Sequence, residues 1–383
     1  MALYDLAPQR PSMKLSEKLW QINWPMALLI CLIALIGFAM LYSAAGGNWQ
    51  PWAARQATRF GVGLLMLLTV ALVDIRFWFR WAYMIYLGVV VLLIAVEIMG
   101  SIGMGAQRWI DLGFIQLQPS ELMKVAIVLA LARYFHGLPP EEVTRPSRVV
   151  LPTLMILAPA GLVLKQPDLG TAAMLLMVGG ALLFVAGVAL WKFAIVLVGG
   201  LAAIPLAWSA LHGYQRQRVL TFLDPETDPL GAGYHILQAK IALGSGGLLG
   251  KGFLGGTQSH LNFLPEMQTD FIFTVFAEEF GLAGGVLLLG LYTLLFLYGF
   301  AIGFRARNPF ARLLALGLTC NLFLYVFINV AMVMGLIPVV GVPLPLISYG
   351  GTALLAVMAG LGLLMSCYVH RDVRIPRRGL AGD

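Results

Sequence analysis

The acidic residues best placed for proton transfer lie in one stretch, LPEMQTDFIFTVFAEEFG. Glu266 and Asp270 stand where a long connection meets an apolar run, and Glu278 and Glu279 follow about two helical turns later. A carboxylate at this boundary, Asp270 above all, could act as a general base toward a hydroxyl of a membrane-anchored substrate. The alternative is a helix N-cap, because Thr269 or Asp270 before an apolar run also starts a helix well. For Glu278 and Glu279 the pattern favours a structural role, one of them pairing with a basic residue or a helix end.

A second group of charges lies in QPSELMK, at the start of another apolar run. Glu121 and Lys124 are three residues apart, so they share one face of a helix and can form an ion pair. A charge inside a membrane helix costs about 2.5–3.5 kcal/mol on insertion scales, so a charged pair there is expected to have a structural or functional role. Two interpretations are open: an ion pair that fixes helix packing, or a pair that lines a cavity and positions a headgroup.

Further charged residues flank other apolar runs. Arg108 in GMGAQRWIDLG and Asp168 in KQPDLGT lie in predicted loops, and a guanidinium group suits phosphate oxygens. Arg55 and Arg59 precede one run, and Lys251 lies in a glycine-rich segment. A lone loop arginine is ordinarily solvated, so a phosphate-binding role requires that these residues meet around one cavity. The spacing of the His and Cys residues predicts no metal site, and any metal ligands stay unknown.

Long apolar runs must position these side chains. Of the 383 residues, 60% are hydrophobic and only 11% are charged, whereas a soluble domain is about 25% charged. The composition therefore excludes a soluble globule and predicts an all-α polytopic integral membrane protein. The net charge of +7 could suggest nucleic acid, but the basic residues form short runs beside apolar segments. That distribution is typical of membrane topology, and we expect no nucleic-acid partner.

About ten transmembrane helices are predicted within a single domain that covers residues 1–383, since a span needs about 20 apolar residues. Most of the 25 Lys and Arg residues fall on one side if the N-terminus is cytoplasmic. Both tails, residues 1–22 and 370–383, are therefore predicted to be cytoplasmic. The predicted helices cover residues 25–45, 58–74, 80–99, 119–136, 149–165, 170–188, 191–210, 271–300, 312–335 and 350–369.

Specific features are predicted for two connections on the outer side. The longest, residues 211–269, lies between predicted helices seven and eight. In its segment 234–243, Tyr234, Leu237 and Ile241 share one helical face, which predicts a short helix at the membrane interface. The glycines that follow permit tight turns and close approach to a ligand. The uncharged connection 335–349 is predicted to be an outer loop.

The chain resembles the SEDS (shape, elongation, division and sporulation) family of bacterial cell-wall polymerases. Four stretches carry the resemblance, in the family's order: AQRWIDLGFIQLQPSELMK, KQPDLGTA, LPEMQTDFIF with AEEFG, and GLIPVVGVPLPLISYGGTALL. It covers roughly residues 20 to 372, and four ordered motifs are far more specific than any one alone. PVVGVPLPLISYGG and the short tails are similar to the members that act in elongation rather than division.

The resemblance implies an activity, a location and partners. The activity is that of a peptidoglycan glycosyltransferase, which joins lipid II into glycan strands during cell elongation and maintains rod shape. The location is the bacterial inner membrane, with the active site facing the periplasm. The implied partners are lipid II, the nascent glycan strand, a class B penicillin-binding protein that acts as transpeptidase, and other membrane proteins of the elongation complex. A divalent cation, Mg²⁺ or Mn²⁺, is implied, and no organic cofactor.

The resemblance also implies roles for individual residues. The family's essential aspartate corresponds to Asp270, its acid–base pair to Glu121 and Lys124, and its loop arginine and Gln-Pro-Asp aspartate to Arg108 and Asp168. Asp270 would deprotonate the acceptor sugar hydroxyl in an inverting transfer. The charge on departing undecaprenyl pyrophosphate would be stabilised by Arg108, Lys124 or a metal ion.

Arg55 and Lys251 are expected to support the same cavity. The chain departs from the family pattern at Thr352, where a serine is usual, and at Met267 and Gln268, where a more basic pair is common. The first change keeps a hydroxyl, and the second is expected to alter headgroup contacts.

Two functions of other classes compete with the enzyme. A lipid II flippase would also need an amphiphile-sized cavity, but it should keep polar residues along a path through both leaflets. Here the mixed-sign charges cluster at the outer end, which favours the enzyme. A non-catalytic scaffold of the elongation machinery would tolerate neutral residues at positions 121, 124 and 270.

Overall fold

The computed structural model describes residues 14–103, 106–111, 113, 116–210, 213, 216, 220–222, 224, 232–257 and 266–376. Helices dominate this part of the chain, and they pack side by side around a continuous apolar core. The helices are α1 Leu15–Trp20, α2 Trp24–Ala44, α3 Trp52–Leu72, α4 Ile75–Met99, α5 Pro119–His136, α6 Pro146–Lys165, α7 Leu169–Ala186, α8 Leu190–Ala210, α9 Ala232–Ser245, α10 Ile272–Arg305, α11 Pro309–Val333 and α12 Gly351–Val369.

Each of the ten predicted apolar runs is a helix, from α2 to α8 and from α10 to α12. The largest difference is at α3, which begins at Trp52 rather than at residue 58. Within the described residues, 7 helices are long and apolar enough to cross a membrane. Three of the ten fall short of that measure: α3 and α5, which carry charged residues, and α8, of which Leu190–Pro205 counts as a shorter apolar helix. The polytopic all-α fold class is confirmed.

A small antiparallel sheet, absent from the prediction, lies between α4 and α5. Its strands are β1 Ser101–Gly103, β2 Ala106–Asp111 and β3 Gln116–Leu117, in the order β1-β2-β3. The pairing of β2 with β3 places Ile110 opposite Leu117 and Asp111 opposite Gln116. The sheet matters because β2 carries Arg108 and β3 leads directly into the charged start of α5.

Helix α10 is broken at Gly281, whereas the sequence predicted an uninterrupted helix over residues 271–300. Gly281 has φ +63° and ψ −162°, a conformation that essentially only glycine adopts. The glycine-rich segment before the helix satisfies the backbone groups that the break leaves open. Two amides of that segment donate to the carbonyls of Glu278 (3.1 Å) and Glu279 (3.0 Å). In return, the Leu282 and Ala283 amides donate to its carbonyls at 2.9 and 3.0 Å.

The connection 335–349, predicted to lie on the outer side, packs within the protein. It enters the bundle as irregular backbone, with Leu344 and Ile347 buried. A Cβ on Gly37 of α2 would lie 2.7 Å from the Ile347 Cα, so the two backbones touch. The Tyr292 hydroxyl donates to the Pro345 carbonyl at 2.5 Å. Irregular backbone at membrane depth is tolerated where protein covers it, and an uncharged apolar sequence is what such a position requires.

Helix α9 confirms the short helix predicted within the long connection. Ala239 and Ala242 are buried against the bundle, while Leu237 and Ile241 are 49% and 43% exposed. An apolar face turned away from the protein suits a helix that lies at the membrane interface.

The break in α10 generates a stability prediction. Gly281→Ala should lower the free energy of unfolding by about 3 kcal/mol, because alanine is strained at this φ and ψ and its Cβ would collide with the Gly250 amide nitrogen. Gly290→Ala is the matched control on the same helix, since a Cβ there meets nothing within 4 Å. Thermal unfolding of both variants in detergent checks this; equal midpoints would contradict the account.

Candidate active site

The start of α5 buries an ion pair. Lys124 Nζ lies 2.6 Å from Glu121 Oε1, and the two residues are 1% and 3% exposed. The Tyr325 hydroxyl of α11 donates to Glu121 Oε2 at 2.5 Å. The Lys124 ammonium lies 4.1 Å from the centre of the Tyr325 ring. Both charges are thus compensated by protein groups, as a buried pair requires, and the pair joins α5 to α11.

The same face of α11 reaches Asp270. Tyr325 and Asn329 are four residues apart, about 6 Å along one helix face. The Asn329 Nδ2 group donates to the Asp270 carbonyl at 2.9 Å and to the Val342 carbonyl at 2.8 Å. The Glu121–Lys124 pair and the Asp270 backbone are therefore bonded by two α11 residues that lie about one helical turn apart.

The chain just before Asp270 is held by the connection 335–349. The Ser348 hydroxyl donates to the Thr269 carbonyl at 2.6 Å, and the Tyr349 amide donates to the Gln268 carbonyl at 2.8 Å. With the Asn329 bond, three consecutive carbonyls are fixed from outside the segment. These three hydrogen bonds, called the clamp below, fix the backbone position from which the Asp270 side chain projects.

The Asp270 side chain is half-buried, and its Oδ2 atom would lie 3.4 Å from a Cβ built on Gly341. Helix α10 begins at Ile272, and its N-cap residue is Phe271, without a side-chain cap. The interpretation of Thr269 or Asp270 as the N-cap residue is therefore wrong. The carboxylate borders the 335–349 segment instead.

Arg108 and Asp168, predicted for the same site, form an ion pair. Arg108 Nε lies 3.7 Å from Asp168 Oδ2, and its Nη2 group donates to the Pro167 carbonyl at 2.5 Å. Asp168 is also the N-cap of α7, accepting from the Thr171 amide at 3.1 Å and its hydroxyl at 2.9 Å. Asp168 thus positions Arg108, whose side chain stays 28% exposed.

The start of α7 brings this pair next to the Asp270 region. A Cβ on Gly170 would overlap the Val340 carbonyl oxygen, so helix and segment 335–349 are in backbone contact there. Val340 directly precedes Gly341, which borders Asp270. Val340 therefore contacts the start of α7, whose N-cap is Asp168, and the next residue, Gly341, adjoins Asp270.

Lys251 is engaged at the break in α10. Its Nζ lies 2.7 Å from Glu278 Oε1 and 2.8 Å from the Thr257 hydroxyl. The prediction that one of the two glutamates pairs with a basic residue is confirmed. Glu279 accepts a hydrogen bond from the Ser43 hydroxyl of α2. Lys251 therefore locks the glycine-rich segment to α10 in this structure, and its role in the cavity stays a prediction.

Arg55 is exposed on the first turn of α3, and its role in the site stays a prediction. One turn later, the Arg59 guanidinium lies 4.8 Å from the centre of the Tyr349 ring. Arg59 thus contacts the segment that holds Asp270, although Arg55 was the residue predicted for the site.

The comparison with known proteins decides the family. The model for cell cycle proteins of the FtsW, RodA and SpoVE type matches residues 22–373. This chain belongs to that family. The peptidoglycan glycosyltransferase MrdB of Escherichia coli K12 is 48% identical over 355 residues, which cover 91% of this chain and 94% of that protein. The peptidoglycan glycosyltransferase RodA of Treponema pallidum is 32% identical over 417 residues, covering 88% and 96%.

Solved structures of the family share the fold. A chain from a peptidoglycan synthase complex has a TM-score of 0.78 at 36% identity, covering 91% of this chain and 98% of that chain. The crystal structure of Thermus thermophilus RodA has a TM-score of 0.69 at 32% identity, covering 91% and 97%. The resemblance drawn from the four motifs, including its likeness to the rod-shape members, is confirmed.

Three polar residues that hold this FtsW/RodA-type site were missed in the sequence: Gln56, Asn329 and Ser348. Gln56 is fully buried, donates to the Ser348 carbonyl at 2.9 Å and accepts from the Gly350 amide at 3.4 Å. Each is a neutral polar side chain within or beside an apolar run, where polar groups are costly. That cost was the signal that could have found them.

The departures from the family pattern also have a structural explanation. The Thr352 hydroxyl donates to the Gln116 carbonyl at 2.6 Å, so the retained hydroxyl joins α12 to β3. Met267 is 8% exposed and belongs to the core. A methionine here therefore serves packing, whereas Gln268 is half-buried and donates to the Glu266 carboxylate at 3.3 Å.

The buried pair generates a second prediction. Glu121→Gln should lower the free energy of unfolding by about 3–5 kcal/mol, because it leaves the Lys124 charge buried without its partner. Glu142→Gln is the control: Glu142 pairs with Arg145 and Arg148 at 3.3 and 3.1 Å near the surface, where a pair contributes about 0–1 kcal/mol. Thermal unfolding measures both.

The double variant Glu121→Gln with Lys124→Met separates charge from packing. We expect it to recover part of the lost stability, because no uncompensated charge remains. A double variant that is less stable than Glu121→Gln alone would contradict this.

Proposed function

We propose that this protein is a peptidoglycan glycosyltransferase that polymerises lipid II into glycan strands during cell elongation and so maintains rod shape. Relatives that carry the activity in their names are 48% and 32% identical over most of both chains. The observation that supports the site assignment is the clamped Asp270. Its own carbonyl and the two before it are bonded to Asn329, Ser348 and Tyr349, while its carboxylate stays half-exposed.

Asp270 is the proposed general base. Its carboxylate takes the proton of the acceptor sugar hydroxyl, and that oxygen attacks the anomeric carbon of the donor. The bond from this carbon to the pyrophosphate oxygen breaks, and undecaprenyl pyrophosphate leaves. A single displacement inverts the anomeric centre and needs one base, by analogy with the carboxylate that activates water in inverting hydrolases. A base fixed in advance makes such a transfer efficient.

Arg108 is the proposed partner of the pyrophosphate. Its side chain is partly exposed and is oriented by Asp168 and by two backbone carbonyls, and guanidinium groups suit developing phosphate charge. Lys124 is 1% exposed and paired. In the proposal, Glu121 and Lys124 position α11. Asn329 of α11 in turn positions Asp270.

A divalent cation, Mg²⁺ or Mn²⁺, belongs to the proposal. The described residues hold no group of three or more His, Cys, Asp and Glu side chains suited to a metal ion. Mg²⁺, however, is commonly held by one or two carboxylates together with substrate phosphates. In this proposal the substrate phosphates hold the cation, which would neutralise pyrophosphate charge.

The proposed setting is the bacterial inner membrane with both termini in the cytoplasm and Asp270 facing the periplasm. Arg305, Arg307 and Arg371 lie at the ends of α10 and α12 away from Asp270, as the positive-inside rule expects. A class B penicillin-binding protein is the proposed partner, with other elongation proteins, since a structural relative comes from a peptidoglycan synthase complex.

The role of Asp270 has a direct test. Asp270→Asn should lower polymer yield from purified lipid II by about 10²–10⁴-fold, the usual contribution of a general base. The control is Glu266→Gln, a half-buried carboxylate four residues earlier that bonds the Thr269 hydroxyl; we expect it to keep most activity. Wild-type polymer yield from Asp270→Asn would reject the assignment.

The Ser348 clamp has a separate test. Ser348→Ala should lower polymer yield about tenfold or more, because small displacements of a catalytic group cost large factors in rate. It should also lower the free energy of unfolding by about 1–3 kcal/mol, because the buried Thr269 carbonyl and Leu344 amide lose their partner. The control is Thr293→Ala, which removes an exposed hydroxyl on α10 that bonds only within its helix. Unchanged activity in Ser348→Ala would show that the clamp does not position Asp270.

The flippase and scaffold alternatives make different predictions in vesicles. Protein reconstituted with its transpeptidase partner and lipid II should form long glycan even when a drug blocks ordinary glycosyltransferases. Movement of lipid II across the bilayer without polymer would favour the flippase. The absence of both glycan polymer and lipid II movement would favour the scaffold.

A further inference from the structure

A groove of about 420 Å³ lies at the end of the bundle opposite Asp270. Its walls are the start of α2, the last turns of α10 and Tyr368 at the end of α12. From the break at Gly281 to Arg305, α10 rises about 36 Å, enough to cross the hydrocarbon core. The groove is therefore separate from the candidate active site, and its volume falls in the range of about 300–1,000 Å³ typical of ligand pockets.

One side of the groove is apolar and open to lipid. Leu294 and Leu297 of α10 line it and are 44% and 59% exposed. Trp20 and Trp24, on α1 and α2, are 87% and 48% exposed beside it. Exposed tryptophans are enriched at the membrane–water interface, so the mouth of the groove lies at that level.

The polar end of the groove carries an arginine with no ion pair in the described part of the chain. Arg305 is exposed and lines the groove, whereas Arg307 pairs with Asp372 at 3.5 Å. The phenol of Tyr368 lines the same end, and the Arg371 guanidinium lies 4.8 Å from the Tyr368 ring centre. Arginine and phenol groups are donors suited to phosphate oxygens.

We infer that this groove binds an anionic phospholipid of the cytoplasmic leaflet, with its phosphate on Arg305 and one acyl chain along Leu294 and Leu297. The leaflet follows from the orientation proposed above. A cationic end joined to an apolar, lipid-exposed wall complements a molecule that is anionic at one end and apolar at the other. The negative surface of the cytoplasmic leaflet supplies such lipids.

Native mass spectrometry of the purified full chain tests the inference, with dioleoylphosphatidylglycerol and dioleoylphosphatidylcholine as probes. Wild-type protein should bind the anionic lipid at least tenfold more tightly. Arg305→Gln should weaken binding of the anionic lipid about tenfold and leave the zwitterionic lipid unchanged. Arg307→Gln, which alters a paired arginine on the same rim, should change the anionic affinity less than twofold.

Additional variants and a competition experiment distinguish a lipid phosphate from free phosphate and control for misfolding. Ala301→Phe should weaken anionic lipid binding by filling the groove while the charges stay. Arg305→Lys should retain most of the affinity, so that a failure of Arg305→Gln to fold leaves two informative variants. Displacement of the lipid by millimolar inorganic phosphate would assign the site to free phosphate and overturn the inference. Equal losses in Arg305→Gln and Arg307→Gln, or equal affinity for both lipids, would also overturn it.

Discussion

The Asn329 side-chain amide is the interaction on which the site depends. Its Nδ2 group donates hydrogen bonds to two carbonyls, that of Asp270 and that of Val342. In this way a single residue of α11 ties the start of α10 to the buried connection 335–349. Within a membrane, a buried carbonyl without a donor costs several kcal/mol. Each group held by Asn329 would carry that cost if the three segments separated, so their relative positions are strongly determined.

Ion pairs also fix the relative positions of parts of the chain. The Lys251–Glu278 and Arg108–Asp168 pairs each join two segments that are apart in the sequence. The Glu121–Lys124 pair lies within α5, and the Tyr325 hydroxyl joins it to α11. None can be explained by net attraction alone, because desolvation offsets most of the Coulomb energy of a buried pair. Their contribution is specificity: removal of one partner leaves a charge that the apolar surroundings cannot accommodate.

Backbone contact supplies the remaining rigidity. Gly37 and Gly170 let α2 and α7 approach the 335–349 segment so closely that any side chain would collide. The break at Gly281 lets the glycine-rich segment replace part of the hydrogen-bond ladder of α10. These contacts are between backbones, and they fix the start of α7, whose N-cap is Asp168, and the residue next to Asp270 along one segment. That arrangement agrees with a reaction whose rate depends on preorganised groups.

The sequence by itself determined the membrane setting, the ten apolar helices and the residues with chemical potential. These rest on composition and on local periodicity, which do not depend on how the helices pack. The pairing of Glu121 with Lys124 was also predictable, since helical spacing links the two residues, whereas the ion pair of Arg108 with Asp168 was not. Only the tertiary structure showed that 335–349 is buried, that α10 breaks at Gly281 and that Asn329 clamps Asp270. Each of these features depends on a partner far away in the sequence, and no local pattern records which distant carbonyl a buried amide will reach.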